Sequence, residues 1–458
     1  MSSKNIPLTV VNQPGMPVAI DIRDTSRDDR KRGNGAPVSP TGGEKHTELS
    51  SVHDFAGKFL HPELLPRLKS YVQARSELRR AVEEGHAPPT EPAVPDAAPV
   101  SINLDLTTGC NYACDHCVDM DILNKPFKFR HDDLMDSLRL MAERGLRSVI
   151  VIGGGEPTLY RKFEEAIRLM KSLGLRVAIV SNGSGQAKIA KIADCLDEED
   201  WVRLSLDSGH DPTFQAMHKP KRQITLEEIC QAVPGITDIN DRFQFGFSYI
   251  ITWKGAFIND TKIVENLGEM LAGAQLAHRN RFDYISFKPF LTRAPENNAE
   301  IIDLRDTDSH FERVLGQIRE QIAEAKKLED GRFRVVESTN LRVLENGTHK
   351  QYMQQPTRCH MHFFRQVLSP LGLFNCPVYR YQPQGTLNDK DGYLNPERYR
   401  ESLANTSRLI ERFDASEECR EVTCLYNHVN WWIEDLIQHP DKLDDLQPDH
   451  DRAPDFFF

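Results

Sequence analysis

The chain has 458 residues, with 57 Lys and Arg against 68 Asp and Glu and a formal net charge of −11. An acidic balance of this kind cannot neutralise a phosphate backbone broadly, which argues against nucleic-acid and anionic-membrane partners. No apolar run approaches the roughly 18 residues that span a bilayer, and the first twenty residues lack the basic-then-apolar pattern of a signal peptide. A cytoplasmic, soluble protein is the expectation, and nine cysteines in two zones suit metal ligation in a reducing compartment better than disulfides.

Residues 1–48 mix Gly, Pro, Ser and charges and are expected to be disordered. Residues 49–99 read as a helical stretch, "HPELLPRLKSYVQARSELRRAVEEG", followed by a linker stiffened by Pro88, Pro89, Pro92, Pro95 and Pro99. Over residues 100–334 short apolar runs alternate with amphipathic helices. "SINLDL", "SVIVIGGGEP", "LRVAIVSNG", "WVRLSLDSG", "FQFGFSYIIT" and "FDYISFKPF" are the strand candidates. "HDDLMDSLRLMAERG" sets Leu134, Leu138 and Met141 on one helical face, and "KFEEAIRLMKSLG" does the same with Phe163, Ile167 and Met170. Apolar strands alternating with helices mean a parallel sheet covered by helices. Six such units fit an α/β fold of the partial (β/α)6 TIM-like barrel type, with chemistry at the strands' C-terminal ends. Residues 335–440 read as a smaller module, a β-hairpin around "RQVLSPLGLFNC" plus the final helix "CLYNHVNWWIEDLI". Residues 441–458 are an acidic tail ending in "DFFF", aromatic enough to plug a pocket, although an untethered tail is the default reading.

The sharpest signal is "TTGCNYACDHCVDMD", where Cys110, Cys114 and Cys117 follow the first strand as C-x-x-x-C-x-x-C. Three thiolates hold three irons of a [4Fe–4S] cluster and leave one iron open to a reactant, whereas four cysteines make a closed carrier. A zinc site with a distant fourth ligand is the bland alternative. The second zone holds Cys359, Cys376, Cys419 and Cys424 around the hairpin and before the last helix, enough for a closed cluster or a structural zinc. His360 and His362 lie beside Cys359 as hydrogen-bonding neighbours or substitute ligands. Cys195 and Cys230 fall on helices of the outer ring; they read as structural, with Cys230 as a candidate radical quencher. Lys288 and Arg293, near the end of the sixth strand, are candidate substrate-binding cations.

These motifs, in this order, resemble the radical SAM superfamily over roughly residues 101–290. The resemblance implies that Cys110, Cys114 and Cys117 ligate a [4Fe–4S] cluster with an open iron, and that S-adenosylmethionine binds there. Its reductive cleavage to a 5′-deoxyadenosyl radical and hydrogen-atom abstraction from substrate are the implied chemistry. It further implies that Gly154, Gly155 and Glu156 of "GGGEP" meet the methionine end of the cofactor. Ser181, Asn182, Ser205 and Asp207 at the next strand ends would lie near its carboxylate, its ribose or the substrate. His116 stands where the family usually has an aromatic residue and would pack on adenine. The second zone resembles SPASM and twitch extensions, and its count of four implies one auxiliary [4Fe–4S] cluster at Cys359, Cys376, Cys419 and Cys424. The implied enzyme is a radical SAM oxidoreductase or epimerase. Its substrate would be a small-molecule sugar, aminocyclitol or other natural-product precursor, its electrons coming from a reductant such as flavodoxin or ferredoxin. Radical modification of a ribosomally synthesised precursor peptide is the alternative.

Overall fold

A computed structural model of the chain describes residues 53–86, 92–258, 260–293, 300–301 and 309–458. The segment 1–48, the centre of the proline-rich linker and the Arg293 side chain lie outside the described residues. The six expected strands all form: β1 Ser101–Leu104, β2 Ser148–Val151, β3 Arg176–Ser181, β4 Trp201–Ser205, β5 Gln244–Ile251 and β6 Tyr284–Pro289. They pair in parallel in that order. Four further strands complete the sheet: β7 Arg334–Glu337, β8 Arg365–Ser369, β9 Gly372–Phe374 and β10 Thr386–Asn388. The order is β7-β6-β5-β4-β3-β2-β1-β8-β9-β10.

Two of these additions were not legible as barrel strands. The change of pattern at Arg334 falls on β7, a seventh parallel strand beside β6. The hairpin forms as expected from β8 and β9, which pair antiparallel with Ser369 opposite Gly372. Its first strand also runs parallel to β1, Ser101 opposite Arg365, so the hairpin continues the barrel sheet.

Helices cover the outer face. Helix α1, Leu65–Glu83, buries Leu68, Tyr71 and Val72. In α2, His131–Glu143, the predicted stripe of Leu134, Leu138 and Met141 is buried, and Asp132 and Asp133 favour its positive N-terminal end. Helix α3, Phe163–Ser172, buries Phe163, Ala166, Ile167 and Met170. Helix α4, Asp211–His218, returns the chain to the sheet's C-terminal edge, and α5, Leu226–Gln231, opens with a Thr225–Glu228 capping box. Helix α6, Asn427–Gln438, packs beside α1, with Arg79 of α1 held 2.6 Å from Glu434. No described helix is long and apolar enough to cross a membrane.

The tail is tethered, which overturns the default reading of "DFFF". Phe456, Phe457 and Phe458 are 2%, 7% and 3% exposed. They seat at the N-terminal ends of the strands. Ser148 Oγ, at the start of β2, donates to the Phe456 carbonyl at 2.6 Å. Phe457 packs edge-on against Trp201 at the start of β4, and Phe458 lies 4.8 Å from Phe59 between ring centroids. Lys58, itself buried, pairs with Asp455 at 3.0 Å and donates to the Phe457 carbonyl. Each aromatic brings roughly 150–250 Å² of surface to bury, which opposes the entropy lost when the segment is ordered.

Candidate active site

The cysteine loop leaves β1 and closes on itself through a residue with no motif to announce it. Asn124, in the left-handed region at φ 60°, accepts the Cys110 N–H on Oδ1 at 3.0 Å and donates its own N–H to the Thr108 carbonyl at 2.7 Å. The other side of the loop docks on the C-terminal end of α4. Ala113 N donates to the His218 carbonyl at 3.1 Å, and Lys221 Nζ donates to the Cys110 carbonyl at 3.0 Å. The His218 ring reaches the Cys114 sulfur, with Nδ1 to Sγ at 3.3 Å.

All three thiols are pushed up from the usual cysteine range. For Cys114 and Cys117 (the latter to about 12) burial is the largest cause, followed by the charges of neighbouring groups, Cys117 and Cys110 for Cys114 and Asp119 for Cys117. Burial also raises Cys110. Ionising three such neighbouring thiols together calls for added positive charge, which a metal centre would supply. Among the described residues, only His116, Asp207 and His218 form a set of three or more such donors lying within 4.8 Å of one another.

The "GGGEP" turn lies flat on this loop. A Cβ on Gly155 would sit 2.1 Å from the Gly109 carbonyl oxygen, and one on Gly154 2.6 Å from that of Thr107, where φ is +69°. Only glycine lets the two backbones meet. Glu156 N donates to the Gly109 carbonyl at 2.8 Å. The Glu156 carboxylate turns inward. Oε1 accepts from Thr158 N, Thr158 Oγ1 and Ser181 Oγ at 3.0, 2.6 and 2.8 Å, and Oε2 accepts from Asn182 N at 2.7 Å. Burial raises its pKa and these donors oppose the rise. The group thus clasps β2 to β3 and keeps part of one oxygen for a further donor. Asn182 Nδ2 donates to Asn111 Oδ1 at 3.0 Å, carrying the clasp back to the cysteine loop.

The structure joins His116 to Asp207, with Nε2 3.3 Å from Oδ2. Asp207 is fully buried, has φ 49°, lies 3.4 Å from His218 Nε2 and accepts Ile250 N at 2.7 Å. Hydrogen bonding from His116 and the charge of His218 overcome burial and hold its carboxyl below the usual range. Both His218 nitrogens are engaged, Nε2 with the Leu206 carbonyl at 3.0 Å, so this compact trio reads as scaffold and not as a metal site. His116 Nδ1 is buried without a partner. Ser205 sits one layer deeper, paired with Ser248 of β5.

The four later cysteines converge. Cys359 is raised to about 12 by burial and then by Cys376, while Cys419 and Cys424 are raised by burial and by the other members of the set. Asn430 Nδ2 donates to Cys359 Sγ at 3.5 Å. His360 spends one nitrogen on the Tyr71 hydroxyl and the other on Glu434, each at 3.0 Å, and His362 Nε2 accepts from Asn375 Nδ2 at 2.9 Å, so both are hydrogen-bonding neighbours.

Sequence reasoning missed the connection between the zones. Four residues after Cys376, Arg380 sits 2.6 Å from Asp119 and 3.5 Å from Asp105, at the end of β1. The Tyr381 hydroxyl also donates to Asp105, and Asp119 accepts the Gly154 N–H at 3.1 Å. No local pattern marks these residues; only the fold brings them to the glycine turn. Cys230 is a correction. Its thiol is sealed in the helix–sheet core, raised by burial, with the surface groups Glu227 and Arg279 as its nearest charges. It is on the outer side of the sheet, so it is not placed to quench a substrate radical. Cys195, on the same outer ring, donates to the Ile192 carbonyl at 3.1 Å.

Residues 104–240 match the radical SAM superfamily. An S-adenosylmethionine-dependent nucleotide dehydratase of Thermoplasmatales archaeon (strain ISO4-H5) is 37% identical over 110 residues, which cover 24% of this chain and 38% of the relative. A protein of the same description from Selenomonas ruminantium is 23% identical over 217 residues, covering 46% and 74%. Streptococcus suis SuiB bound to S-adenosylmethionine aligns at a TM-score of 0.47 and 13% identity, over 66% of this chain and 65% of that one. The chain thus spans well under half the length of the first of these relatives. The cysteine loop, the glycine turn and the parallel strands β1 to β4 all lie within residues 104–240 or at their edge, the part of the chain that is similar to the radical SAM superfamily.

Proposed function

We propose that the chain is a radical SAM enzyme acting on a small, hydroxyl-bearing molecule, with Cys110, Cys114 and Cys117 holding the open cluster and Cys359, Cys376, Cys419 and Cys424 a second, closed one. Bound there, the open cluster and S-adenosylmethionine supply a 5′-deoxyadenosyl radical that takes a hydrogen atom from substrate, and a closed cluster supplies a one-electron acceptor. The observation that carries the reading is the cysteine loop pressed backbone to backbone against Gly154 and Gly155. Carbonyls of the glycine turn and the remaining capacity of Glu156 Oε2 would orient the methionine ammonium, and Asn182 would fix the neighbouring strand end. His116, held by Asp207, would present its ring edge to the adenine side. The DFFF plug closes the far end of the barrel against water, which protects a radical from quenching.

Anaerobic reconstitution should give about eight iron and eight sulfide per chain. About four iron with one zinc would sink the electron-acceptor role of the second site. Formation of 5′-deoxyadenosine should vanish in Cys114→Ala; persistence there removes the radical SAM reading itself. A second reading, dehydration of a nucleotide, is supported by the activity named for the two relatives. Product masses separate the outcomes: loss of two hydrogens for oxidation, loss of water for dehydration, and for epimerisation an unchanged mass in ordinary water with one deuterium gained in heavy water. A crosslinked peptide would revive the alternative of precursor-peptide modification.

A further inference from the structure

Helix α6 sends one side-chain amide back to the four-cysteine zone. Asn430, the fourth residue of that helix and 1% exposed, donates from Nδ2 to Cys359 Sγ at 3.5 Å. Its Oδ1 accepts two backbone N–H groups, those of His360 at 2.9 Å and Met361 at 3.3 Å. A backbone N–H only donates, so the oxygen must face these groups and the NH2 end must face the sulfur. The two residues that follow the cysteine therefore fix which end of the amide it meets. Burial and the neighbouring Cys376 raise the Cys359 thiol; the Asn430 amide and the N–H groups of Met361 and His362 act against them. All three donors favour extra negative charge on that sulfur.

The helix is pinned where it makes this contact. Asn427 Nδ2 and Trp431 Nε1 both donate to the Gln354 carbonyl, at 2.7 and 2.8 Å, and Glu434 accepts from Arg79 and His360. Other bonds draw the remaining cysteines to the same segment. Cys424 N donates to the Tyr352 carbonyl at 3.1 Å, and Ala415 N, four residues before Cys419, donates to the Thr357 carbonyl at 2.9 Å. The Tyr379 hydroxyl, three residues after Cys376, donates to the Glu418 carbonyl. A metal centre on these four sulfurs becomes more negative when it takes an electron. A donor aimed at one of the sulfurs stabilises that form more than the oxidised one, and more strongly out of water.

Resting on the closed-cluster reading of Cys359, Cys376, Cys419 and Cys424, we propose that the Asn430 N–H···S bond raises the reduction potential of that centre and makes it a readier electron acceptor. The test reduces the reconstituted full chain stepwise with dithionite and follows it by electron paramagnetic resonance. Added S-adenosylmethionine shifts the signal of the open centre and so tells the two apart. In Asn430→Leu the ratio of reduced to oxidised second centre at a fixed potential should drop about tenfold, about 59 mV for a one-electron couple. Asn430→Asp keeps an oxygen for both backbone N–H groups but loses the donor, and should lower the potential at least as far. Tyr71→Phe frees His360 from its other partner without touching the N–H···S bond and should leave the potential unchanged. In protein reconstituted in heavy water, one exchangeable deuteron coupled to the reduced second centre should be lost in Asn430→Leu and kept in Tyr71→Phe. An unchanged or higher potential in Asn430→Leu, or an equal shift in Tyr71→Phe, overturns the proposal. If one Asn430 variant fails to assemble the second centre, the other carries the comparison; if both fail, Asn430 is an assembly residue and the proposal falls. Wild-type chain with about four iron and no second signal removes the closed-cluster reading, whereas about eight iron with an unmoved potential removes only this inference.

Discussion

Replacing Arg380 by Met should expose how the second cysteine zone supports the first. The side chain is 9% exposed and stands between Asp105 and Asp119, which are 0% and 8% exposed. Removing one partner of a buried pair costs about 3–5 kcal/mol when the remaining charge is trapped. Here an escape exists. Burial already raises Asp105 from the ordinary carboxylate value to about 6, with Arg380 as the largest opposing influence. Protonating it at pH 7.5 costs about 2 kcal/mol at 1.36 kcal/mol per unit, so the variant should lose about 2–3 kcal/mol there. The sign follows from linkage. A carboxyl raised in the folded state gives stability that is fully present below its unfolded pKa near 4 and is lost as pH rises through about 6. Without Arg380 the folded value rises further, so the loss of stability in the variant should shrink as pH falls from 7.5 to 6. Urea unfolding of both proteins across that range, with S-adenosylmethionine titrations alongside, measures it. Because Asp119 holds the Gly154 N–H, cofactor affinity should fall as well. A deficit of the same size at pH 6 and 7.5 would refute the argument that Asp105 takes the proton.

Gly155→Ala should fold yet lose S-adenosylmethionine binding at least tenfold, because its Cβ would meet the Gly109 carbonyl oxygen at 2.1 Å and push the turn off the cysteine loop; equilibrium dialysis checks this. Cys376→Ala should bring iron from about eight to about four per chain while 5′-deoxyadenosine formation from S-adenosylmethionine persists, as read by iron assay and chromatography. Phe458→Ala should destabilise the chain by about 3–5 kcal/mol in urea unfolding, as a fully buried aromatic does, against near zero for an untethered tail.

Both cysteine zones, the glycine turn and six of the seven parallel barrel strands on the β1 to β7 side were legible in the sequence, because each is local. Thiol spacing, glycine content and two- or 3.6-residue periodicity are properties of neighbouring residues, and they act before any tertiary contact forms. The buried stripes of α2 and α3 and the hairpin at Ser369–Gly372 lie where the pattern put them. What the tertiary structure decided was which distant groups meet. "DFFF" looked like a loose end because nothing near it in sequence is apolar; its pocket comes from Ser148, Trp201 and Phe59, hundreds of residues away. Arg380 and Asp105 are 275 positions apart, and His218 and Cys114 104. Cys230 misled for the same reason: periodicity places it on a buried helical face, but only the sheet reveals that this face is the outer one. Pairing of remote charges and the choice between the inside and outside of a barrel depend on strand register, which no stretch of a dozen residues contains.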